Sequence, residues 1–139
     1  MEIRYSPIGY VRCRPGKVPR HWAVSDLSGT LEILPEYERG LRDFGPGDRI
    51  VVLFHFHRNE PFTEAHLVQV PPAHGKARGL FSTCSQNRPN PLGMSILTVT
   101  SVSGGRIGVR GLDILDGTPV LDIKPFFTGD EAPESLGGS

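Results

Sequence analysis

Punctuation restricts this chain more than any other feature. Seventeen glycines and thirteen prolines are spread along 139 residues instead of being gathered in one linker. Proline removes an amide donor and clashes with the preceding helical turn, while glycine suits the tight turns between short strands. A helical bundle is therefore excluded, and an all-β chain of short strands is expected.

Alternation of apolar residues places those strands. Pro7 to Val11 begins an extended segment, and Arg12 to Arg20, broken by Pro15-Gly16 and Pro19, reads as a basic loop. Ser28 to Ile33 is a second strand. Pro35 fits the first position of a short helix through Leu41 or Phe44, closed by Gly45-Pro46-Gly47, and it is the one helix the pattern predicts. Residues 49–58 carry the strongest strand signal, with Ile50, Val52, Phe54 and Phe56 on one face and Val51, Leu53, His55 and His57 on the other. Both faces are largely apolar, which predicts a central strand. His66 to Val70 and Leu80 to Thr83 read as short extended pieces. Met94 to Val102 and Arg106 to Leu112 form a hairpin turning at Ser103-Gly104-Gly105, and Asp116-Gly117-Thr118-Pro119 turns into a last strand, Val120 to Ile123. About seven short strands need closure to hide their edges, so the expected fold is a small closed β-barrel with one short helix over residues 1–127. Gly, Pro, Glu and Ser dominate residues 128–139, which predicts a loose C-terminal tail.

Composition excludes several function classes. With 37% hydrophobic and 22% charged residues the chain is globular in character. Its longest aliphatic and aromatic run, Ile50 to Phe54, is far short of the ~18 residues a bilayer crossing requires. Met1 to Pro7 lacks the apolar segment and cleavage site of a secretory signal. Cys13 and Cys84 lie too far apart for a metal knuckle or a disulfide framework, so a reduced, cytoplasmic protein without membrane association is expected. Net charge is zero, yet it runs in blocks of +4, −4, +5 and −5 over residues 1–21, 22–70, 71–110 and 111–139. Either the blocks pair and cancel, or the two basic ones meet and make a local positive surface.

Motifs narrow the chemistry further. No Rossmann or Walker A glycine pattern is present, nor a Gly-x-Ser-x-Gly elbow. His55 and His57 have strand spacing that turns both rings to one side, with His21, His66 and His74 as further ligands of a metal site, or else they are hydrogen-bonded wall residues. Asn87-Arg88-Pro89-Asn90-Pro91-Leu92-Gly93 is stiffened by two prolines, and its arginine and amides would point outward as a binding loop or cap a tight turn. Asp113 to Pro125 sets three carboxylates and Lys124 around a turn. They either accept hydrogen bonds from ribose hydroxyls or an amine, or bond turn amides and Lys124.

Arg88-Pro89-Asn90-Pro91-Leu92-Gly93-Met94-Ser95 and Asp113 to Pro125, with Phe54-His55-Phe56-His57 and Val18-Pro19-Arg20, carry a specific likeness. Over residues 6–127 the chain resembles the TsaA-like family of β-barrel S-adenosylmethionine-dependent methyltransferases, whose studied members act on N6-threonylcarbamoyladenosine beside the tRNA anticodon. A second, C-terminal domain of longer members has no counterpart in these 139 residues. The resemblance implies a cofactor site made of Pro19, Arg20, His21, His57, Arg58, Cys84, Met94, Asp113, Ile114, Leu115 and Asp116. His21 stands where the family pattern has glutamine, and Cys84 where it has arginine. It implies tRNA as partner and a homodimer.

The residue types agree with a methyl donor. S-adenosylmethionine offers an amine, a carboxylate, ribose hydroxyls, an adenine face and a sulfonium, which call for carboxylates, a base such as Arg20 and an apolar wall such as Met94. Its methyl is already activated, so alignment supplies most of the acceleration. The acceptor nitrogen must lose a proton, for which His57 or a carboxylate is the candidate catalytic base. For an RNA substrate, Arg12, Arg14, Lys17, Arg78 and Arg88 would neutralise phosphates and Asn90 would contact the substrate. A different RNA or small-molecule acceptor, or a non-enzymatic or metal-binding barrel using His55, His57 and His66, is the alternative function.

Overall fold

Alternating apolar residues drive one face of each strand into a common interior. In this computed structural model, residues 1–14, 19, 21, 23, 25–71 and 75–131 are described. The strands are β1 (Gly9–Arg12), β2 (Ser28–Ile33), β3 (Arg49–His55), β4 (Val68–Gln69), β5 (Arg78–Gly79), β6 (Leu92–Ser103), β7 (Arg106–Arg110) and β8 (Pro119–Pro125). Six of them close an antiparallel barrel in the order β1-β2-β7-β6-β3-β8, with β8 returning to β1. The expected closed barrel is thus present with six strands in its wall, where about seven were anticipated. β4 and β5 pair only with each other, as a separate ribbon.

The strand between His66 and Val70 gives way at its start to a 3-10 turn, Glu64–Leu67, because Thr63 and His66 cap each other, the Thr63 amide donating to His66 Nδ1 at 3.0 Å. Leu80 to Thr83, expected extended, is instead the 3-10 turn Leu80–Ser82, closed by the Thr83 amide and hydroxyl on the Leu80 carbonyl at 3.0 and 2.8 Å. The helix opening at Pro35 forms as the 3-10 helix Pro35–Leu41. Of the expected tail, Gly129–Glu131 forms a 3-10 turn and residues 132–139 lie outside the described part.

Inside the barrel, Val11, Leu31, Ile50, Val52, Leu97, Val99, Ile107, Val109 and Val120 pack together fully buried. The outward face of β3, between β6 and β8, is half-buried at Val51, Leu53 and His55. Antiparallel pairing brings the ends of β1, β3 and β7 and the starts of β2, β6 and β8 to one rim. The opposite rim is covered by the Pro35–Leu41 helix, through Leu41 and Phe44.

A plug closes the first rim. After β7 the chain crosses the barrel mouth, and Leu112 and Ile114, 1% and 2% exposed, insert into the core. Leu112 can sit so deeply because Gly29 of β2 has no side chain. A Cβ there would lie 2.3 Å from Leu112 Cδ1. The crossing segment is bonded on both sides. The amides of Gly111 and Leu112 donate to the Leu27 carbonyl, and β1 exchanges hydrogen bonds with Gly117 and Thr118 through Val11.

Leu112→Ala removes a fully buried side chain from a site whose neighbours are fixed by the strands. We expect a loss of about 2–5 kcal/mol. Urea denaturation read by circular dichroism should show a lower midpoint with an unchanged slope.

Candidate functional site

The plug segment brings one carboxylate to the barrel mouth. Between Leu112 and Ile114, whose side chains enter the core, Asp113 is half-buried at the barrel mouth and reaches Ser95 of β6. Ser95 occupies an inward position of β6, shared with Gly93, Leu97 and Val99, and is fully buried. Its hydroxyl donates to Asp113 Oδ1 at 2.5 Å. A buried hydroxyl needs a partner, and a carboxylate is a strong one, so this contact orients Asp113.

Asp113 forms one wall of a cleft of about 670 Å³. Leu53, Phe54, Phe56, Leu92 and Met94 give it an apolar side, and Thr83, Cys84, Ser85, Gln86 and Arg88 a polar one, while Pro19 and His21 line it from the segment after β1. Gly93 shapes the apolar wall. A Cβ there would lie 2.3 Å from Phe54 Cζ and 2.9 Å from Phe56 Cζ, so its absence lets the two rings meet edge to face across β6, with centroids 5.1 Å apart. A cleft of this size, mostly apolar with a few convergent polar groups, is the usual form of a small-molecule site.

The proline-rich loop bordering the cleft is folded inward. Arg88 Nη1 donates to the carbonyls of Thr83 and Ser85 at 2.9 and 3.0 Å, and Asn87 Oδ1 accepts from the Glu60 amide at 3.3 Å. Of the two readings of this loop, Arg88 and Asn87 take the turn-capping one, because loop carbonyls without strand partners recruit the guanidinium. Asn90 is exposed and lines a second hollow of about 480 Å³ beside Ile3, Tyr5, His55 and Leu121.

Other residues read from the sequence do not line the cleft. Ile114 is core. Asp116 Oδ1 accepts from the Cys13 amide at 3.0 Å. Burial, and then the Asp116 charge, push the Cys13 thiol above its ordinary pKa. Asp122 bonds the amide of Ile123 and pairs with Lys124 at 2.9 Å, which is the structural reading of that carboxylate. Leu115 gives its carbonyl to the Thr118 hydroxyl at 2.7 Å, and the same hydroxyl lies 3.3 Å from His57 Nδ1. His57 and Arg58 sit in a turn just beyond β3, so they do not continue the strand alternation that would set His57 beside His55. Among the described residues, no cluster of three or more His, Cys, Asp and Glu has the arrangement to hold a metal ion, and no helix is long and apolar enough to cross a membrane.

Of the basic residues, Arg12 pairs with Glu32 at 3.5 Å and lies over the Tyr10 ring. Arg14 and Arg78 are exposed. Arg20, Lys17, Val18 and His74 lie outside the described residues. Arg12 of β1 and Arg110 of β7 flank β2 at the plugged rim, so members of both basic blocks come to one end of the barrel. Sequence reasoning missed Ser95 and Thr118. Their signal is a hydroxyl where strand parity or turn geometry calls for burial. Both cysteines are free thiols.

Residues 13–131 match the family described as tRNA-methyltransferase O N-terminal domain. A probable S-adenosyl-L-methionine-binding protein of Pyrococcus abyssi is 39% identical over 140 residues, covering 98% of this chain and 74% of its own length. The tRNA (adenine(37)-N6)-methyltransferase of Mus musculus is 37% identical over 141 residues, covering 94% of this chain and 32% of its own length. A crystal structure of TrmO from Pseudomonas aeruginosa is similar with a TM-score of 0.70 and 33% identity, over 99% of this chain and 61% of that one. The chain therefore spans about a third of the mouse enzyme and under two thirds of the crystallised TrmO.

Partial burial of the ring, then the Arg58 guanidinium and His55, hold the His57 imidazole below its ordinary pKa. The unfolded chain then binds more protons as pH drops through about 6.5, so stability is fully present above that value and declines below it. A proton NMR titration should show a His57 midpoint lower than that of an unperturbed histidine. Fold stability of the His57→Gln variant should vary less with pH between about 5 and 7.

Proposed function

Because the chain belongs to the tRNA-methyltransferase O N-terminal domain family, we propose that it transfers a methyl group from S-adenosylmethionine to N6 of an adenosine in tRNA, and more narrowly to N6-threonylcarbamoyladenosine beside the anticodon. The observation that carries this reading is Asp113, oriented by the buried Ser95 hydroxyl and set against the apolar wall of Phe54, Phe56 and Met94.

The donor set fits the cofactor. When bound, S-adenosylmethionine supplies an activated methyl on a sulfonium, whose departure leaves a neutral thioether. Asp113 would accept hydrogen bonds from the amine or ribose hydroxyls, while Phe54, Phe56, Leu92 and Met94 exclude water and pack against adenine and sulfur. Pro19, His21 and Cys84 complete the cleft, with Arg20 between the first two in sequence, and Leu115, Asp116, His57 and Arg58, which are outside its lining, are proposed as further groups reached by the bound cofactor. His57 is the proposed base for the proton that leaves N6 as the new carbon–nitrogen bond forms. Its lowered pKa keeps it unprotonated near neutrality.

Arg12, Arg14 and Arg110 at the plugged rim would meet the phosphates of an anticodon loop, whose bases are already unpaired. Arg88 contributes by stiffening the loop beside the cleft, and Asn90 faces the adjoining hollow. Phe81, outside the cleft lining, is exposed at 79%. A second copy covering Phe81 would account for that exposure, which supports a homodimer. Two free thiols are in keeping with a reducing, cytoplasmic setting. The side chains of His21 and Cys84 on the cleft wall favour a second reading, in which the same cofactor serves a different acceptor.

Asp113→Asn should weaken S-adenosylmethionine at least about tenfold by calorimetry, the value of one charged hydrogen bond. Transfer of labelled methyl to tRNA purified from cells lacking the gene should be strong at low salt and fall steeply as salt rises. Nucleoside mass analysis should then find the label on N6-threonylcarbamoyladenosine. Label on unmodified adenosine would overturn the narrower substrate, and unchanged cofactor affinity in the variant would overturn the site.

A further inference from the structure

One buried hydroxyl at the plugged rim is shared between two acceptor-capable groups. Thr118 is 2% exposed. Its Oγ1 lies 2.7 Å from the Leu115 carbonyl and 3.3 Å from His57 Nδ1. A threonine hydroxyl carries one proton and two lone pairs. A carbonyl can only accept, so the shorter contact takes the Thr118 proton. Toward His57 the same oxygen has only lone pairs left, and a close, favourable contact there requires that Nδ1 bring the proton. In a neutral imidazole a proton on Nδ1 leaves Nε2 with a free lone pair.

We infer that Thr118 is a positioning residue, which holds His57 in the Nδ1–H tautomer and so makes Nε2 a hydrogen-bond acceptor at the plugged rim, just beyond the end of β3. Its importance for methyl transfer rests on the role proposed above for His57. The turn that supplies the acceptor is itself well fixed. The Thr118 carbonyl accepts from the Val11 amide at 2.9 Å, the Gly117 amide donates to the Val11 carbonyl at 2.8 Å, and Gly117 turns with φ +81°. The tautomer is thereby tied to the register of β1 against the plug. Burial together with Arg58 and His55 keeps the ring neutral, the state in which a tautomer has meaning. The neighbouring Asp113–Ser95 pair has the same design, a buried hydroxyl directing one atom of a titratable group.

Protein labelled with 15N-histidine, with the His57 signals assigned by their loss in His57→Gln, tests this directly through two- and three-bond proton–nitrogen correlations at a pH where the ring is neutral. The expected spectrum has a protonated Nδ1 and an unprotonated Nε2. A protonated Nε2 in the unaltered protein would overturn the inference without recourse to any variant. Thr118→Ser, which retains the hydroxyl, should preserve the pattern, and Thr118→Val should shift the ring toward Nε2–H. A Thr118→Val spectrum identical to the unaltered one would remove Thr118 from the explanation. In methyl-transfer assays Thr118→Val should lower kcat about tenfold with cofactor affinity unchanged, and Thr118→Ser should restore it. If the spectra behave as expected while Thr118→Val and His57→Gln both transfer at the full rate, the tautomer stands and the proposed role of His57 falls.

Discussion

Closure of the barrel mouth by Leu112 and Ile114 is the constraint on which the remaining geometry depends. The six-stranded wall has an apolar interior that must be sealed at both ends. One end receives a helix, the other a stretch of irregular chain. Anchoring that stretch by Leu112 and Ile114 holds the residue between them, Asp113, at the mouth within reach of Ser95. The same burial fixes Thr118, because the segment must return to β8 while exchanging backbone hydrogen bonds with Val11. The chemistry of the rim is in this sense a by-product of sealing the core. Gly29 belongs to the device, since any side chain on β2 at that position would meet Leu112.

Legibility of the fold followed the periodicity of each segment. Residues 49–55 alternate with apolar side chains on both faces, and they form β3, paired with β6 and β8 as every strand of the closed wall is paired with two. The hairpin turning at Ser103-Gly104-Gly105 is equally plain. Where four or five residues carried too little pattern, local hydrogen bonding decided. Leu80 to Thr83 is apolar enough to read as extended, yet the Thr83 hydroxyl on the Leu80 carbonyl curls it into a turn. Thr63 and His66 cap each other in the same way just before β4. In both places a side chain offers the backbone an alternative to the ladder, which apolar counting ignores.

The site was legible in part for a different reason. Pro19, His21, Cys84, Met94 and Asp113 are scattered along the chain, and no spacing rule joins them. Their likeness to a family pattern singled them out, and all five line one cleft. Arg88 shows the opposite case. Its neighbouring prolines allowed a rigid, outward-facing donor as well as a turn cap, and loop carbonyls without strand partners take up the guanidinium, so it builds the loop before it can serve anything else. Ser95 and Thr118 were passed over because hydroxyls in strands and turns are common. Only burial distinguishes these two, at 0% and 2% exposed, and burial is a property of the folded chain.

His21 and Cys84, cleft residues at which, with Gln86, the resemblance implies a departure from the family pattern, lie outside every strand of the barrel. Neither belongs to the packed interior, where a change of one methylene is felt by every neighbour. Selection acting on them would meet little resistance from folding. The cleft can drift toward a new ligand one residue at a time, on a scaffold whose ladders and core keep no account of the change.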